Sequence, residues 1–298
     1  MNCMKKLSVI ILCIVTINVT NLYSQTTDLF RVEYTYFPQS DSDNSFRRFR
    51  AFINVPVKIG KESYLVPGFE YRNINMKLRD EFSFVTNDKE RLQSLNPSLG
   101  YTWKMKNDWR YAVKAGIIIT SNFNDKLTKD DYLFEGEAFI IKDKTDLELT
   151  DQTKPWRLIL GINYSTISGR PYPLPIINYF RRFHPDWTFT LGAPKSNLKY
   201  HFNKKHILQS FITLDGFYAN IQDDINLPDG GIGSTISMTT LLSGLGYEYY
   251  FTDHLLLYLY AGHTIINDIR LRDDDGDDVL TINDKNSFYG RTGIRFKF

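Results

Sequence analysis

The sequence predicts an all-β protein, an antiparallel transmembrane β-barrel of about 14 strands. Apolar and polar residues alternate in many segments, 15% of the 298 residues are aromatic, and no long apolar stretch follows the first 24 residues. Alternation with a period of two is typical of a strand that has one apolar face. A membrane barrel turns that face to lipid and places aromatic girdles at both interfaces.

The first 24 residues have the layout of a secretory signal peptide. Two lysines precede an apolar run over residues 7–19, and a short polar stretch follows. The run is shorter than the ~20 apolar residues of a membrane-spanning helix, and its flanks are those of an export signal. We therefore expect a signal peptide over 1–24, cleaved after Ser24, and an outer-membrane barrel domain over 25–298.

Cysteine and charge content exclude several classes of protein. Cys3 and Cys13 both lie in the predicted signal, so the mature chain can form neither a disulfide nor a cysteine-ligated metal site. Loss of the two signal lysines takes the 36 basic and 34 acidic residues to 34 of each. A neutral chain does not indicate a nucleic-acid partner. We expect no cofactor.

The strands follow one another with short and long connections in turn. Three segments, 94–105, 109–121 and 155–167, carry aromatic residues near an end and aliphatic residues between, the order typical of a strand that crosses a membrane. Short polar turns alternate with longer polar loops, as in barrels with short periplasmic turns. The other predicted strands are 30–37, 46–58, 62–78, 131–142, 175–183, 186–193, 197–203, 206–221, 235–252, 255–271 and 287–298.

Three of these segments leave the strand count open between 14 and 12. Segment 131–142 precedes a long polar stretch that would be periplasmic, and segments 186–193 and 197–203 are shorter than the ~9–11 residues needed to cross a bilayer. If the first is not a strand and the other two form one, the barrel has 12 strands. The two alternatives place residues 184–186 on opposite sides of the membrane.

The last twelve residues, SFYGRTGIRFKF, separate into an apolar and a basic face. We interpret the apolar face as lipid-facing and the basic face as lumen-facing. The terminal Phe298, preceded by Phe296, resembles the general signal read by the barrel-assembly machinery, and we include Phe288 of the same face in this assembly signal. The expected partners are this machinery and the lipid and lipopolysaccharide of the outer membrane.

Three stretches carry a resemblance to a known family. They are PYPLPIINYFRRFHPDWTFTLGAPKSNLKYHF (171–202), LDGFYANIQ (214–222) and LRDDDGDDVLTINDKNSFYGRTGIRFKF (271–298). They resemble a family of outer-membrane β-barrel proteins of unknown function found mainly in Bacteroidota, from about residue 30 onward. The resemblance implies the fold and the outer membrane of a Gram-negative bacterium, and it brings no catalytic residues.

Strand alternation predicts a set of charged side chains in the lumen. A ring of basic side chains can favour passage of anionic solutes. Alternatively, these side chains fill the barrel and pair with Glu70, Glu248 and loop acids, because buried charges must be paired. An open aqueous channel is typical of ~16–18 strands, which favours the filled barrel. The predicted lumen charges are Arg48, Arg50, Glu70, Arg72, Lys114, Arg291, Arg295 and Lys297.

The acidic run RDDDGDD (272–278) does not fit an EF-hand. With Gly276 as the loop glycine, Leu271 and Ile282 occupy the first and last ligand positions. A looser cation site would use Asp273, Asp275 and Asp277, although a solvated outer loop explains the run better, and we predict no metal site. The Asp-Gly pair at 215–216 is interpreted as a turn that ends a strand.

An enzymatic site is not evident. His263 is the one histidine on an apparently outward face, no G-x-S-x-G motif occurs, and nothing in the sequence places Ser168 or Ser243 beside it. We therefore predict a non-enzymatic barrel for passage or binding of a small solute. The alternatives are a lipid-modifying or lipid-cleaving enzyme and a structural or surface-interaction barrel whose loop 272–286 meets a partner. The sequence does not determine the oligomeric state.

Overall fold

The computed structural model describes residues 28–82, 84, 86, 89–166 and 170–297. The predicted signal peptide and Phe298 lie outside these residues. In the described part of the chain, no helix is both long and apolar enough to cross a membrane.

The described residues form one sheet of sixteen strands, of which fourteen close an antiparallel barrel. Each barrel strand pairs with the next along the chain, and β16 pairs with β1 to close the ring. The two short strands lie off the ring: β3 pairs with β4, and β15 folds back on β14. The strands are β1 (Asp28–Pro38), β2 (Ser45–Asn54), β3 (Val57–Lys58), β4 (Ser63–Lys77), β5 (Arg91–Lys104), β6 (Trp109–Ser121), β7 (Tyr132–Lys144), β8 (Trp156–Ser165), β9 (Tyr172–His184), β10 (Trp187–Ala193), β11 (Lys195–His201), β12 (His206–Asn226), β13 (Ile232–Tyr250), β14 (Leu255–Arg272), β15 (Asp278–Asn283) and β16 (Phe288–Lys297).

The prediction of about 14 strands is confirmed, and the alternative of 12 is wrong. Segment 131–142 is strand β7, which pairs along its length with β6 and β8. Segments 186–193 and 197–203 are the separate strands β10 and β11, which form an antiparallel hairpin. The turn at 185–186 therefore lies at the end of the barrel that carries Asp28 and Lys297. We call this the turn end and the opposite one the loop end.

The outer surface of the barrel is apolar, as a membrane-spanning barrel requires. Large apolar side chains with 44–57% of their surface exposed point outward on strands around the ring; examples are Leu99, Ile162, Leu191 and Ile294. All four tryptophans, at 103, 109, 156 and 187, lie on strand ends at the turn end. This is the position of an interfacial aromatic girdle.

An apolar core fills the interior toward the loop end. Phe37, Phe46 and Phe217 are almost completely buried there, and the rings of Phe46 and Phe217 stack with their centroids 5.5 Å apart. Strand β12 makes this possible because it is 21 residues long and bends across to β6, where Asn220 pairs with Ser121. The interior is therefore divided into an apolar loop-end half and a polar turn-end half.

The connection between β6 and β7 holds β12 in this position through Asp131. The buried carboxylate of Asp131 accepts hydrogen bonds from Asn220 Nδ2 (2.8 Å), Gln222 Nε2 (2.9 Å) and the Thr128 N–H (2.7 Å). Burial alone would raise the pKa of Asp131, but hydrogen bonds from Asn220, Thr128 and Gln222 outweigh it and hold the pKa below its usual range. The ionised carboxylate is thus part of the folded arrangement.

The acidic stretch predicted as an outer loop is more ordered than expected. Residues 278–283 form β15, and a turn about Gly276 (φ +83°) returns the chain to β14. Asp278 forms ion pairs with Arg270 and Arg272, which lie on β14. The run of acids thus contributes a hairpin that two arginines anchor.

Candidate anion-binding cavity

A polar cavity of about 300 Å³ lies in the turn-end half of the interior. Strands from both sides of the ring contribute to it, because inward-facing residues alternate along each strand. Eight of the lining residues are cationic and three are acidic. The cations are Arg31, Arg48, Arg50, Arg72, Lys195, Lys199, Arg291 and Arg295, and the acids are Glu33, Asp215 and Glu248.

Asp215 joins two arginines at the centre of this cavity. Arg48 donates to both carboxylate oxygens of Asp215, Nη1 to Oδ1 at 2.9 Å and Nη2 to Oδ2 at 2.7 Å. Arg291 donates to the same carboxylate from β16. The bidentate geometry is the strong form of this ion pair, and it ties β2, β12 and β16 together across the barrel. The interpretation of residues 215–216 as a turn is wrong, because both lie within β12.

A second group of charges follows from the strand register. Glu33, Arg50 and Arg72 stand side by side on β1, β2 and β4. Arg50 donates to Glu70 at 2.7 Å and to Glu33 at 3.4 Å, and Arg72 donates to Glu70. Tyr258 adds a hydrogen bond to Glu33 at 2.7 Å. Arg50 and Arg72 are directly opposite each other with like charge, and Glu70 compensates both guanidinium groups while Glu33 pairs with Arg50 across the strands.

Glu248 is the centre of a third group. Its carboxylate, which is 1% exposed, accepts from Lys199 at 2.8 and 2.9 Å, from Gln209 at 2.8 Å and from Tyr260 at 3.0 Å. These partners come from β11, β12 and β14, around Glu248 on β13. The four neighbouring strands are thus linked through one carboxylate.

The remaining predicted lumen charges lie around the cavity. Lys114 contacts Glu135 at 2.8 Å and Glu137 at 3.5 Å on the β6–β7 side of the wall. Arg295 contacts Asp28 at 3.4 Å. Lys297 donates to the Tyr250 hydroxyl at 2.8 Å near the turn end. Seven of the eight predicted lumen charges therefore lie in ion pairs, and Lys297 has a phenol as its partner.

Several donors around the cavity have no hydrogen-bond acceptor within the described part of the protein. They include the hydroxyl of Tyr289, which is 0% exposed, and the Nε atoms of Arg48 and Arg50. Lys195 places its ammonium over the rings of Phe211 (4.8 Å) and Tyr260 (4.7 Å), so that its neighbours are aromatic faces. An unsatisfied buried donor costs about 1–3 kcal/mol. The cavity thus offers donors and positive charge to a ligand that accepts hydrogen bonds.

Four lining residues, Glu33, Lys195, Lys199 and Asp215, were not among the predicted lumen charges. The same alternation could have placed Asp215 in the lumen, because Asp215 lies on the same face of β12 as Phe211 and Phe217. The position of Lys195 depends on the short hairpin that precedes it, and no pattern in the sequence places that hairpin against the cavity.

The acidic residues proposed for a looser cation site do not come together. Within the described residues, no group of three histidine, cysteine or acidic side chains could hold a metal ion. Asp273 instead accepts a hydrogen bond from the Asp277 N–H at 2.8 Å, as a turn requires. Of the predicted assembly signal, Phe288 and Phe296 point outward with 52% and 37% of their surface exposed.

Ser243 lies directly opposite His263 in the register of β13 and β14. The sequence had given no reason to bring these two residues together. His263 turns Nδ1 toward the Thr264 carbonyl at 2.8 Å. The flanking cross-strand pair, Leu245 and Ala261, is apolar. A serine and a histidine thus share one face without an acidic neighbour in these flanking positions.

The comparisons with known proteins extend over almost the whole chain. A family model described as Domain of unknown function (DUF6268) matches residues 20–297. No curated protein matches the sequence.

Solved structures of membrane barrels resemble the fold weakly. The TodX monoaromatic hydrocarbon channel deltaS2 mutant is 11% identical with a TM-score of 0.37, covering 90% of this chain and 89% of that one. The NanC porin is 10% identical with a TM-score of 0.37, covering 90% and 100%. Outer membrane phospholipase A from Escherichia coli is 10% identical with a TM-score of 0.32, covering 91% and 97%. At these values the similarities assign no function.

Proposed function

We propose a function from the structure of the barrel, because the chain belongs to the family described as Domain of unknown function (DUF6268). The protein is a non-enzymatic barrel of a Gram-negative outer membrane that binds a small anionic solute in its lumen. The apolar exterior and the tryptophan girdle support the membrane location. The short turns then face the periplasm, and the longer loops face outward.

One observation carries the proposed ligand class. The lumen cavity has eight cationic and three acidic lining residues, and Tyr289, which also lines it, has a buried hydroxyl without a hydrogen-bond partner among the residues that the structure describes. A carboxylate or phosphate group would accept hydrogen bonds from these donors and offset the excess of positive charge. A cation would meet like charges there.

Binding is favoured over free passage because the apolar core occupies the loop-end half of the interior. Phe37, Phe46 and Phe217 lie where a continuous aqueous path would have to run. Fourteen strands also fall short of the ~16–18 strands that leave an open channel. We expect purified protein in a planar bilayer to show no steady conductance, and ohmic conductance over a range of salts would contradict this part of the proposal.

Titration of the purified protein with inorganic phosphate, acetate and tetramethylammonium tests the ligand class. Tyr289→Phe removes a hydroxyl that has no partner, so the fold should keep its stability while the affinity for the bound anion falls about tenfold. Tyr36→Phe, on the outward face, is the matched control. The proposal fails if no anion binds, or if the cation binds as well as the anions.

The proposed absence of catalysis rests on the surroundings of Ser243 and His263. A serine nucleophile needs a base that a third polar group orients, and the neighbouring Leu245–Ala261 pair is apolar. Incubation of the protein with phospholipid in mixed micelles should release no fatty acid. Release that disappears in His263→Ala would show that the barrel is a lipid-cleaving enzyme.

A further inference from the structure

The barrel wall is interrupted on its loop-end side. Strands β10 and β11 have only seven residues each, and their hairpin turns at Pro194. Pairing of β9 with β10 stops where Ile177 meets Ala193, and pairing of β11 with β12 stops where Lys195 meets Thr213. The Pro194 carbonyl of the hairpin turn still accepts the Leu214 N–H at 2.8 Å. Beyond it, residues 172–176 of β9 and 215–219 of β12 have no ladder partner on the edges that face each other.

We call this interruption the notch. Its floor is the turn of the β10–β11 hairpin. Two strands are missing above that floor, so the facing edges of β9 and β12 are separated by up to about 14 Å, three strand spacings, before β12 bends away. Because β10 and β11 are shorter than the ~9–11 residues that cross a bilayer, the notch opens within the apolar band.

The edge of β9 at the notch carries prolines at the positions that face the gap. The Ile177 carbonyl points toward β10, since a Cβ added to Gly192 would lie 1.7 Å from that oxygen. Backbone groups point to the same edge at every second residue, so Pro173 and Pro175 face the gap as well. Neither has an N–H. The edge therefore lacks the unpaired donors that lipid would penalise.

Side chains bind two backbone groups on the edge of β12. The Gly216 N–H donates to Asp215 Oδ1 at 2.8 Å, and the Tyr218 carbonyl accepts from Thr120 Oγ1 at 3.1 Å. An open sheet edge in hydrocarbon is unstable unless its polar groups have partners. The prolines of β9 and these two side-chain bonds of β12 thus reduce the number of unpaired polar groups that lipid would meet at the notch.

An apolar groove and the cationic cavity meet at the notch. The groove, of about 580 Å³, lies at β9–β12 and is lined mainly by apolar residues such as Leu191, Leu198 and Ile212. The cavity extends to Pro194, Leu214 and Gly216 at the floor of the notch. Asn197 and Phe211 border both spaces. Asn197 and Phe211 therefore separate an apolar surface on one side from a cationic surface on the other.

Lys195 is the cavity-lining cation nearest to the floor of the notch along the chain. It follows Pro194 directly, lines the cavity and contacts two aromatic rings. The other seven cations that line the cavity pair with carboxylates, whereas the ammonium of Lys195 lies over aromatic faces. Its position suits a carboxylate that arrives from the notch.

We propose that the ligand is a single-chain amphiphile with a carboxylate head, drawn from the surrounding lipid through the notch, with its chain in the groove and its head at Lys195. This inference rests on the proposed anion-binding function and specifies its substrate class. It predicts lateral entry, so the ligand reaches the cavity without passing the apolar core of the loop-end half.

The test measures binding of laurate, dodecyl phosphate, dodecyltrimethylammonium and acetate to the full-length mature barrel in a nonionic detergent. We expect laurate to bind more tightly than acetate and the cationic amphiphile not to compete. Lys195→Gln should weaken laurate binding about tenfold, the loss of one charged hydrogen bond. Lys114→Gln changes a lumen lysine on the β6–β7 side of the barrel, away from the notch, and should leave laurate affinity within about twofold.

A second pair of variants tests the route. Ile176→Trp places an indole on β9 beside the notch and should abolish laurate binding while acetate binding persists. Ile294→Trp on the far outer face should change neither. A photoreactive laurate should label residues of β9 to β12. Equal laurate affinity in Lys195→Gln and the parent protein would overturn the inference, and so would labelling confined to other strands.

The outcomes separate this inference from the function on which it rests. If acetate or phosphate binds but laurate binds no more tightly, the anion site stands and lateral entry fails. If dodecyl phosphate displaces laurate with higher affinity, the head group is a phosphate and the carboxylate assignment is wrong. If none of the anions binds to protein whose circular dichroism shows a folded barrel, the proposed function itself fails.

Discussion

Asp215 is the residue whose replacement should test the interior charge network most directly. Its carboxylate accepts a bidentate pair from Arg48 and a further hydrogen bond from Arg291. In Asp215→Asn, the isosteric amide keeps the volume of the side chain but removes its charge. Among the described residues, Arg48, whose side chain is 2% exposed, then has no carboxylate partner, and Arg291 keeps Glu33 at 4.0 Å.

The expected loss of stability follows from this burial. Removal of one partner from a buried ion pair costs about 3–5 kcal/mol, because the remaining charge stays away from water without compensation. We therefore expect the free energy of unfolding of Asp215→Asn to fall by about 3–5 kcal/mol. Urea unfolding of the barrel in phospholipid vesicles would measure it through the fluorescence of the four tryptophans at the turn end.

Asp130→Asn is the matched control, since its side chain is 60% exposed and lies 4.0 Å from Lys129. A surface change of this kind should alter the free energy of unfolding by no more than about 0.5 kcal/mol. High phosphate concentration should partly restore Asp215→Asn, because a free anion can occupy the place of the lost carboxylate. Equal unfolding midpoints for the two variants would refute the reasoning that Asp215 compensates buried arginines.

Two further predictions concern the loop-end half and the packing of the wall. Asp131→Asn should speed tryptic cleavage of loop 122–131 relative to Asp130→Asn. Because the pKa of Asp131 is lowered in the fold, its contribution to stability should be present above about pH 4 and be lost as the pH falls through the lowered pKa. Pepsin cleavage at graded acidic pH would detect this loss. Gly293→Ala would place a Cβ 2.5 Å from the Tyr258 hydroxyl and should lower the free energy of unfolding by about 1–3 kcal/mol. Gly136→Ala, whose added Cβ would have nothing within 4 Å, should be tolerated, and equal free energies of unfolding for the two variants would contradict this packing.

The strand pattern could be predicted from the sequence because alternation is a local property. A strand such as β16 turns successive residues to opposite faces. Arg291 and Arg295 could therefore be assigned to the interior and Phe296 to the exterior without knowledge of the neighbouring strands. Strand length was a weaker guide. The hairpin of β10 and β11 looked too short to cross the bilayer, and it does end within the wall, but it remains two strands.

The partners of the interior charges could not be predicted in the same way. Arg48 and Asp215 are 167 residues apart, and only closure of the ring brings β2 and β12 face to face across the lumen. The register of each hairpin is local, whereas a contact across the lumen depends on the tilt and bending of all the strands between. The bend of β12 toward β6 is such a case, and it divides the interior into its two halves.

By itself, the sequence determined that the chain forms a barrel, which side chains lie on each face of most strands and how many strands there are to within two. These properties depend on periodicity, which each segment carries without reference to the others. Only the tertiary structure decided that the lumen is divided, that Lys195 stands at an interruption of the wall and that Pro173 and Pro175 line its edge. Those features arise because strands of unequal length pair with one another, and the effect of a short strand on the wall depends on the length of the strands beside it.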